Sequence, residues 1–348
     1  MITINYGKDW VQTTYDTLSA SDVEFYLKSG MKVSIKPNLV NTTAPSDGAT
    51  THPEVVEGII LFLRDFGIKD ISVMESSAIG HSTKRAYKVC GYEYLEKKYG
   101  VPLIDLKNTP TRTLSHGGLD IEIAEAALNT DFLINVPVLK AHCQTRLTCC
   151  MKNLKGCIPE REMRRFHTLG LHKPIAALSK LLPVHYCVVD GICGDLSFEE
   201  GGSPVEANRI IAGRDSVLID AYCAELIGYR PEEIGYLPSG VGKAQVKELN
   251  ANQKPARQQK SARISERVRG NIEEDAACSV CYAALVFALH RSGAGSNKKI
   301  CIGQGFKGKS GSPAGRSGAT LGIGTCTKGF DSYVEGCPPK AIDIMKSL

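Results

Sequence analysis

A chain of 348 residues is long enough to bury a full hydrophobic core, and its length predicts one large and one small folded unit. Hydrophobic residues make up 43% of the chain and charged residues 23%, which is close to the soluble average and argues against wholesale disorder or a coiled coil. The formal net charge of +5 is too small to indicate a nucleic-acid-binding protein.

The sequence shows no evident targeting or membrane segment. The first residues, MITINYGKDWVQ, lack the basic, apolar and small-residue regions of a secretory signal. The most apolar run, VCYAALVFAL at 280–289, is too short to span a membrane. We therefore expect a cytoplasmic protein with no membrane and no nucleic-acid partner.

Short β-rich runs alternate with helical patterns over residues 1–236. This alternation predicts an α/β domain with a mostly parallel sheet and helices on both faces. Strands are predicted at 31–40, 69–76, 101–106, 131–139, 185–191 and 208–213. Helices are predicted at 52–67 and 214–228, each ending at a glycine.

The composition changes after this domain. Residues 237–272 contain few large apolar side chains and many Lys, Arg, Gln and Asn, which predicts a polar, basic linker that is either mobile or a solvated helix. Residues 273–348 predict a small α+β domain. Within it, the Gly- and Ser-rich stretch KSGSPAGRSGAT at 309–320 predicts a flexible loop.

Thirteen cysteines are many for a cytoplasmic chain, in which disulfides are seldom kept, so they indicate metal ligation or thiol chemistry. Cys278 and Cys281 form a C-x2-C pair at the start of a predicted helix, whose N-terminus favours thiolate charge. Cys326 and Cys337 add two thiolates from short glycine-containing loops, where backbone N–H groups can approach inorganic sulfur. The prolines after Cys337 fix the turn, as in ferredoxins. These four cysteines predict one [4Fe–4S] cluster.

Zinc is the alternative metal, because four thiolates in a tetrahedron also hold it. A zinc ribbon normally pairs two C-x2-C knuckles, and this chain has one, so the spacing favours iron and sulfur. Unligated core thiols are a third interpretation. The sequence leaves open whether the remaining candidates take part in metal or thiol chemistry: Cys143, Cys149, Cys150, Cys157 and Cys301.

Polar side chains follow the predicted strands at their carboxyl ends, where open α/β sheets bind ligands. Lys140 and His142 leave a strongly apolar strand, and with His167 they are the predicted catalytic residues, which would orient and protonate a substrate. The residues predicted to bind a small anionic substrate or effector are Lys36, Asn38, His52, Lys152, Asn153 and Asp190. Taken singly, each of these residues is more typical of a helix cap or a solvated charge.

Several common catalytic motifs do not occur in the chain. No G-x-G-x-x-G follows the first predicted strand, and neither a Walker loop nor a G-x-S-x-G elbow is present. These absences argue against a conventional dinucleotide fold, an NTPase and a serine hydrolase.

A set of ordered motifs resembles the microbial domain-of-unknown-function family 362: IKPNLV, THPEVVEGI, NVPVLKAH with MKNLKG, RRFH and VVDGI. The C-terminal C-x2-C, IGQGFKGK, GIGTC and GCPPKAIDI resemble the version with an iron–sulfur segment. The resemblance covers roughly residues 30–230 and 275–345, and it implies the same cluster ligands and the same polar site. The repeated cysteine runs of ferredoxin-type relatives are absent, which argues against a two-cluster electron wire.

The favoured hypothesis is a redox enzyme whose cluster passes electrons to a small anionic substrate in the α/β domain. A redox partner protein is a further candidate partner. A second hypothesis is a non-enzymatic electron carrier or iron–sulfur sensor that binds a partner. In a third hypothesis the cluster is only a structural element, and the α/β domain has hydrolase or transferase activity. A flavin is compatible with the first hypothesis, but no motif supports one.

Overall fold

The computed structural model describes residues 1–256, 260–293, 298–310 and 320–348. Most of the flexible loop predicted at 309–320 therefore lies outside the described residues. The chain forms two compact units. The larger comprises Met1–Met163 and Ile175–Ser261, and the smaller comprises Arg164–Pro174 and Ala262–Leu348.

The larger unit is built on a mixed sheet of eight strands within the described residues, in the order β12-β1-β11-β10-β7-β2-β3-β4. Strands β10, β7, β2, β3 and β4 run parallel to one another, whereas β11 is antiparallel to both β10 and β1. Two further antiparallel pairs, β5 with β6 and β8 with β9, lie outside this sheet. The strands are β1 (Ile2–Tyr6), β2 (Val33–Pro37), β3 (Ile71–Glu75), β4 (Leu103–Asp105), β5 (Thr111–His116), β6 (Leu119–Ala124), β7 (Phe132–Val136), β8 (Lys140–His142), β9 (Arg146–Thr148), β10 (Tyr186–Asp195), β11 (Pro204–Gly213) and β12 (Val246–Leu249).

Helices alternate with these strands along the chain. Aspartates cap the first and last of them: Asp9 accepts the N–H of Gln12, and Asp215 accepts that of Val217, so each satisfies an N–H that lacks a partner within the helix. The helices are α1 (Trp10–Ser19), α2 (Pro53–Asp65), α3 (Thr83–Val89), α4 (Glu93–Tyr99), α5 (Glu125–Leu128), α6 (Cys150–Asn153), α7 (Glu160–Leu169), α8 (His172–Leu181) and α9 (Ser216–Leu226).

The core lies between the central strands and the helices. Every residue of β2, β3 and β7 is buried, as expected for parallel strands covered on both faces. Helix α2 presents Val55, Ile59 and Leu63, spaced at helical intervals, to this core. The architecture confirms the predicted α/β class with a mostly parallel sheet and a small C-terminal domain.

The segment predicted as a linker, 237–272, contains regular structure. Strand β12 lies within it and pairs in parallel with β1, from Ile2 opposite Val246 to Asn5 opposite Leu249. Its side chains are mostly exposed, since it forms an edge of the sheet. Backbone pairing with β1 and polar side-chain contacts, such as Lys247 Nζ to the Ala20 carbonyl, hold this strand in place, and no apolar pattern reveals such a strand in the sequence.

The smaller unit contains a parallel sheet in the order β13-β14-β15-β16. Strands β14 and β15 end alike: each is followed by a glycine at positive φ, Gly303 or Gly324, and then by a short 3-10 turn. Among the described residues, no helix combines the length and the apolar character needed to cross a membrane. The elements are α10 (Ile264–Val268), β13 (Ile272–Glu274), α11 (Ser279–Ser292), β14 (Lys299–Ile302), β15 (Thr320–Ile323), β16 (Tyr333–Val334) and α12 (Ala341–Ser347).

A buried ion pair joins the carboxyl ends of β2 and β3. Lys36 Nζ lies 2.9 Å from Glu75 Oε2, and the two side chains are 1% and 3% exposed. The backbone of Gly156 packs directly against this pair. A Cβ at that position would overlap Glu75 Oε1 and come within 2.5 Å of Lys36 Nζ. Only glycine therefore fits beside the pair without displacing it.

We expect Gly156→Ala to lower the free energy of unfolding by about 1–3 kcal/mol, the usual cost of overpacking a core. Urea denaturation would measure this change. Gly242→Ala is the matched control, because a Cβ there would meet no atom within 4 Å. Equal stability of the two variants would contradict the described packing around Glu75.

Candidate functional site

Four cysteines of the smaller unit line one pocket. Cys278 precedes α11 and Cys281 lies in its first turn, while Cys326 lies in the 3-10 turn after β15 and Cys337 in the loop before α12. The pocket has an empty volume of about 290 Å³. Its lining residues are Cys278, Cys281, Ile302, Gly303, Gln304, Ile323, Gly324, Thr325, Cys326, Gly336 and Cys337. The chain thus brings together the four sulfurs that the sequence predicts as one ligand set.

The thiols affect one another electrostatically. Burial, together with the neighbouring Cys278, Cys337 and Cys326, raises the pKa of Cys281 to about 12. Burial also raises the pKa of Cys278, with Cys326 and Cys337 contributing in the same direction and the charge of Lys307 opposing them. Four thiolates in one pocket would repel one another, and positive charge between them would offset that repulsion. None of the described pocket-lining residues carries a cationic side chain, and a bound metal would supply such charge.

Glycines shape the loops around this pocket. Gly303 and Gly336 have φ values of 130° and 134°, which side-chain-bearing residues rarely adopt. A Cβ on Gly303 would overlap the Asp275 carbonyl oxygen, and one on Gly336 would come within 2.6 Å of Pro339 Cα. The Cys337–Pro338 peptide bond is cis. Gln304 Nε2 donates to Cys278 Sγ at 3.4 Å, so the pocket also supplies a hydrogen bond to a ligand sulfur.

The fifth cysteine of the smaller unit lies elsewhere. Cys301 is fully buried on β14 and packs with Phe306 and Phe330. It is not among the residues that line the pocket. The structure therefore places Cys301 in the apolar core, although it lies close in sequence to Gly303.

Lysine side chains gather in the larger unit after β7. Lys140 is buried on β8, and its Nζ donates to the carbonyl oxygens of Ala49 at 2.8 Å and Glu199 at 2.5 Å. Burial lowers the pKa of Lys140 to about 7, and the positive charge of Lys152 acts in the same direction. Burial also lowers the pKa of Lys152 to about 8 and that of Lys155 to about 7. These groups exchange protons near neutral pH.

A histidine, a cysteine and a carboxylate adjoin these lysines. His142 Nδ1 accepts the N–H groups of Gln144 and Thr145, so the ring proton resides on Nε2, which lies 3.6 Å from Glu199 Oε1. Cys143 donates to Glu199 through its N–H and its thiol, each at 3.0 Å. The ligand atoms of His142, Cys143 and Glu199 lie within 4.8 Å of one another, a spacing that a metal ion could also accept.

A second compact group lies deeper in the larger unit. Cys149, Cys150 and Asp220 place their ligand atoms within 4.8 Å of one another, and all three residues are buried. Asp220 accepts the N–H groups of Cys150 and Met151 at 2.6 and 3.0 Å, so its carboxylate caps α6. Sequence spacing could not reveal this group, because Asp220 comes from the distant helix α9.

The predicted site residues separate into several groups. Lys140, His142 and Lys152 come together around Glu199, as the sequence predicts for the first two. The three donors of Lys36 are used by Glu75, the Pro37 carbonyl and Asn153. Because these contacts lie within the protein, the predicted anion-binding roles of Lys36 and Asn153 remain predictions.

Four further predicted residues lie in other surroundings. Asn38 donates its N–H to Thr51 Oγ1 and accepts that of Val40. His52 pairs with Asp190 through Nδ1 at 2.8 Å. His167 lies on α7 in Arg164–Pro174, which groups with the smaller unit. Their roles in binding or catalysis remain predictions.

Glu199 is the central residue that the sequence analysis missed. It stands in the stretch FEEGG after β10, where an acidic pair beside glycines is typical of an exposed loop. Only the fold shows that its carboxylate reaches His142 and Cys143. Lys155 stands in the motif MKNLKG of the sequence. No spacing pattern there distinguished it from Lys152 as a site residue.

The lowered pKa of Lys140 predicts how the free energy of unfolding depends on pH. Between about pH 7 and its unperturbed pKa of 10.5, the unfolded chain binds more protons than the folded chain, so the free energy of unfolding rises with pH. We expect Lys140→Met to flatten this rise, since it removes the titrating group. Urea denaturation near pH 7 and near pH 9.5 would measure the effect.

Comparing the two pH values cancels any loss in the free energy of unfolding that does not depend on pH. One such loss is the cost of leaving the carbonyls of Ala49 and Glu199 without the Lys140 donor. Lys88→Met on the exposed side of α3 serves as the control, because its ammonium remains in water. If Lys140→Met changed stability equally at both pH values, the lysine would not titrate as described.

Residues 33–225 match the family model described as Domain of unknown function (DUF362). A curated relative, the thylakoid-associated protein sll1697 of Synechocystis sp., is 26% identical over 220 residues, which cover 60% of this chain and 67% of that protein. The family match covers more than half of the chain, and the chain belongs to this family.

Two solved structures are similar to part of this chain. The lactate racemase apoprotein from Thermoanaerobacterium thermosaccharolyticum matches with a TM-score of 0.45 and 16% identity, over 67% of this chain and 57% of that chain. A protein from Thermotoga maritima matches with a TM-score of 0.38 and 14% identity, over 53% of this chain and 51% of that chain. The chain thus spans little more than half the length of either structure.

Proposed function

We propose that this member of the DUF362 family is an iron–sulfur redox enzyme that acts on a small anionic substrate. The smaller unit would hold one [4Fe–4S] cluster through Cys278, Cys281, Cys326 and Cys337. The larger unit would bind the substrate through its lysine group and supply a proton. When bound, such a cluster supplies one-electron transfer.

The observation that carries this proposal is the convergence of four thiols, distant in sequence, on one pocket. Four cysteine ligands are the set that a [4Fe–4S] cluster requires. Positive-φ glycines in the pocket wall bring backbone close to the sulfurs, and Gln304 donates to one of them. Both features are typical of surroundings that tune a cluster's potential. Zinc would use the same four sulfurs, so metal analysis must distinguish the two.

The charge of the larger unit's site supports an anionic substrate. Lys152 interacts electrostatically with Lys140 and with Lys155, and all three lysines interact with Glu199. Burying several ammonium groups together is costly, and an anion between them would offset that cost. A carboxylate or a phosphate would also accept their charge-assisted hydrogen bonds.

Proton transfer would fall to Lys140 and His142. Lys140 has a pKa near 7, which allows it to give up a proton at neutral pH. His142 carries its ring proton on Nε2, on the side of Glu199, whereas its Nδ1 lies 3.9 Å from Cys143 Sγ. A substrate oxygen that displaced Glu199 would therefore meet an N–H donor.

We expect anaerobically purified protein to contain about four iron and four sulfide per chain, with a broad visible absorption that dithionite bleaches. Cys337→Ala should lose most of this iron, because a cluster held by three thiolates binds weakly. Iron, zinc and sulfide analysis, together with the visible spectrum, would measure the change.

Cys301→Ala is the matched control, because it removes a thiol of the same unit that does not line the pocket. It should retain the wild-type iron content. Stoichiometric zinc without sulfide in the wild-type protein would contradict the redox proposal. So would equal iron loss in the two variants.

We expect Lys152→Gln to weaken the binding of a small anion by roughly tenfold to a hundredfold, the worth of one charge-assisted hydrogen bond. Isothermal titration calorimetry near pH 6.5 with inorganic phosphate and with oxalate would measure it. The probe that binds more tightly would indicate whether the site suits a phosphate or a carboxylate.

Lys88→Gln is the control for this experiment, since it removes a lysine from an exposed helix face. Binding should weaken as pH rises through about 8, where Lys152 loses its charge. Equal affinity of the two variants for both probes would refute an anion site at Lys152.

A further inference from the structure

Three side chains of the larger unit form a connected series of contacts. Cys193 Sγ lies 3.7 Å from His52 Nε2, within hydrogen-bond range for sulfur. The other ring nitrogen, Nδ1, lies 2.8 Å from Asp190 Oδ2. Each nitrogen of the imidazole therefore has a separate partner, a thiol on one side and a carboxylate on the other.

An irregularity in β10 allows this arrangement. In a regular strand, residues three positions apart point to opposite faces of the sheet, so Asp190 and Cys193 would not reach one imidazole. The pairing of β10 with β11 shifts register between Gly191 and Cys193. Such a bulge turns a side chain to a new direction, and bulges are frequent beside functional sites.

The carboxylate of Asp190 is fixed by the backbone as well as by the imidazole. Its Oδ2 also accepts the backbone N–H of His52 at 2.7 Å, and its Oδ1 accepts that of Ile192 at 3.0 Å. The residue is fully buried. Asp190 can therefore hold the His52 ring in one orientation and one tautomer, with its second nitrogen directed at the thiol.

The surroundings of His52 favour its charged form. Burial lowers the pKa of His52, but the Asp190 charge and hydrogen bond, together with Cys193, offset this and raise it to about 10. Trp10 packs edge-on against the ring, with the ring centroids 4.9 Å apart. The carbonyls of Pro45 and Ser46 lie 3.6 and 3.9 Å from the Cys193 sulfur. Of these neighbours, only the imidazole is basic enough to keep the thiol proton.

We propose that Cys193, His52 and Asp190 are a nucleophilic centre whose substrate is a small activated acyl group. A nucleophile within reach of a base, and a base oriented by a third group, is the arrangement that activates cysteine for acyl transfer. Cys193 and His52 are 8% and 4% exposed, so the acyl group must be small.

The proposed step balances in atoms and charge. The Cys193 thiolate attacks the carbonyl carbon of an ester or thioester, a carbon–sulfur bond forms, and the bond to the leaving group breaks. The leaving alkoxide or thiolate takes the proton that His52 Nε2 holds. The product is a thioester on Cys193, and no electrons are exchanged. This chemistry does not depend on the cluster.

Cys90 offers an internal control. Like Cys193 it is buried against residues 41–52, with its sulfur near Thr43 O and Thr50 Oγ1 at 3.2 and 3.6 Å. Burial raises the pKa of Cys90 to about 11. Cys90 lies in the same region as Cys193, but its hydrogen bonds within the described residues are to Thr43 and Thr50 and not to a histidine. A difference in reactivity between the two thiols therefore measures the effect of His52.

The test treats the full-length, anaerobically prepared protein with p-nitrophenyl acetate and follows acetylation of each cysteine-containing peptide by mass spectrometry. We expect Cys193 to acetylate at least about 100-fold faster than Cys90, as positioned acid–base groups usually achieve. His52→Gln should remove most of this advantage. Cys193→Ala should abolish the fast release of p-nitrophenolate, whereas Cys90→Ala should retain it.

Comparable acetylation rates at Cys193 and Cys90 in the wild-type protein would overturn the proposal, and this comparison needs no variant to fold. A fast Cys193 that His52→Gln leaves unchanged, in a variant with the wild-type circular dichroism spectrum, would overturn it as well. Loss of the cluster would appear separately, as acetylation of the peptides that contain Cys278, Cys281, Cys326 and Cys337.

Discussion

Thiolates repel one another, and the smaller unit brings four cysteines to one pocket from positions 278 to 337. None of the described residues that line the pocket carries a positive charge, and burial makes ionisation of Cys278 and Cys281 harder still. The loops that carry Cys326 and Cys337 depend on glycines whose φ values or close contacts leave no space for a side chain. A metal centre would relieve the repulsion that this backbone imposes, so metal binding and folding of the smaller unit should be coupled.

The larger unit also brings groups of like charge together, in this case the ammonium groups of lysines. Lys36 is neutralised within the protein by Glu75 and by two uncharged acceptors, which makes it part of the structure. Lys140, by contrast, donates to two carbonyl oxygens and lies near both Lys152 and Glu199, and burial lowers its pKa to about 7. Buried ionisable groups with strongly shifted pKa values are typical of ligand sites. The two lysines follow neighbouring strands of one sheet, yet only Lys140 adjoins the group that could bind an anion.

Local patterns in the sequence predicted the strands that lie in the core, because β2, β3 and β7 are short runs rich in β-branched and other apolar residues. They did not predict β12, whose side chains face solvent, or β1, although Ile2, Ile4 and Tyr6 alternate with polar residues. The four cysteines that line the pocket were identifiable as a candidate ligand set because Cys278 and Cys281 share a short spacing and Pro338 follows Cys337. Glu199 and Cys193 were not, because their partners lie far away in sequence and a bulge sets the direction of Cys193. Such contacts depend on register and tertiary packing, which no local pattern encodes.

X-ray data collected at the iron and zinc absorption edges, from crystals grown without oxygen, would test the central claim most directly. An anomalous iron peak among the sulfurs of Cys278, Cys281, Cys326 and Cys337, large enough for several irons, is the predicted result. A single zinc peak among these sulfurs would contradict the iron–sulfur account. So would a pocket with no anomalous signal in crystals grown without oxygen.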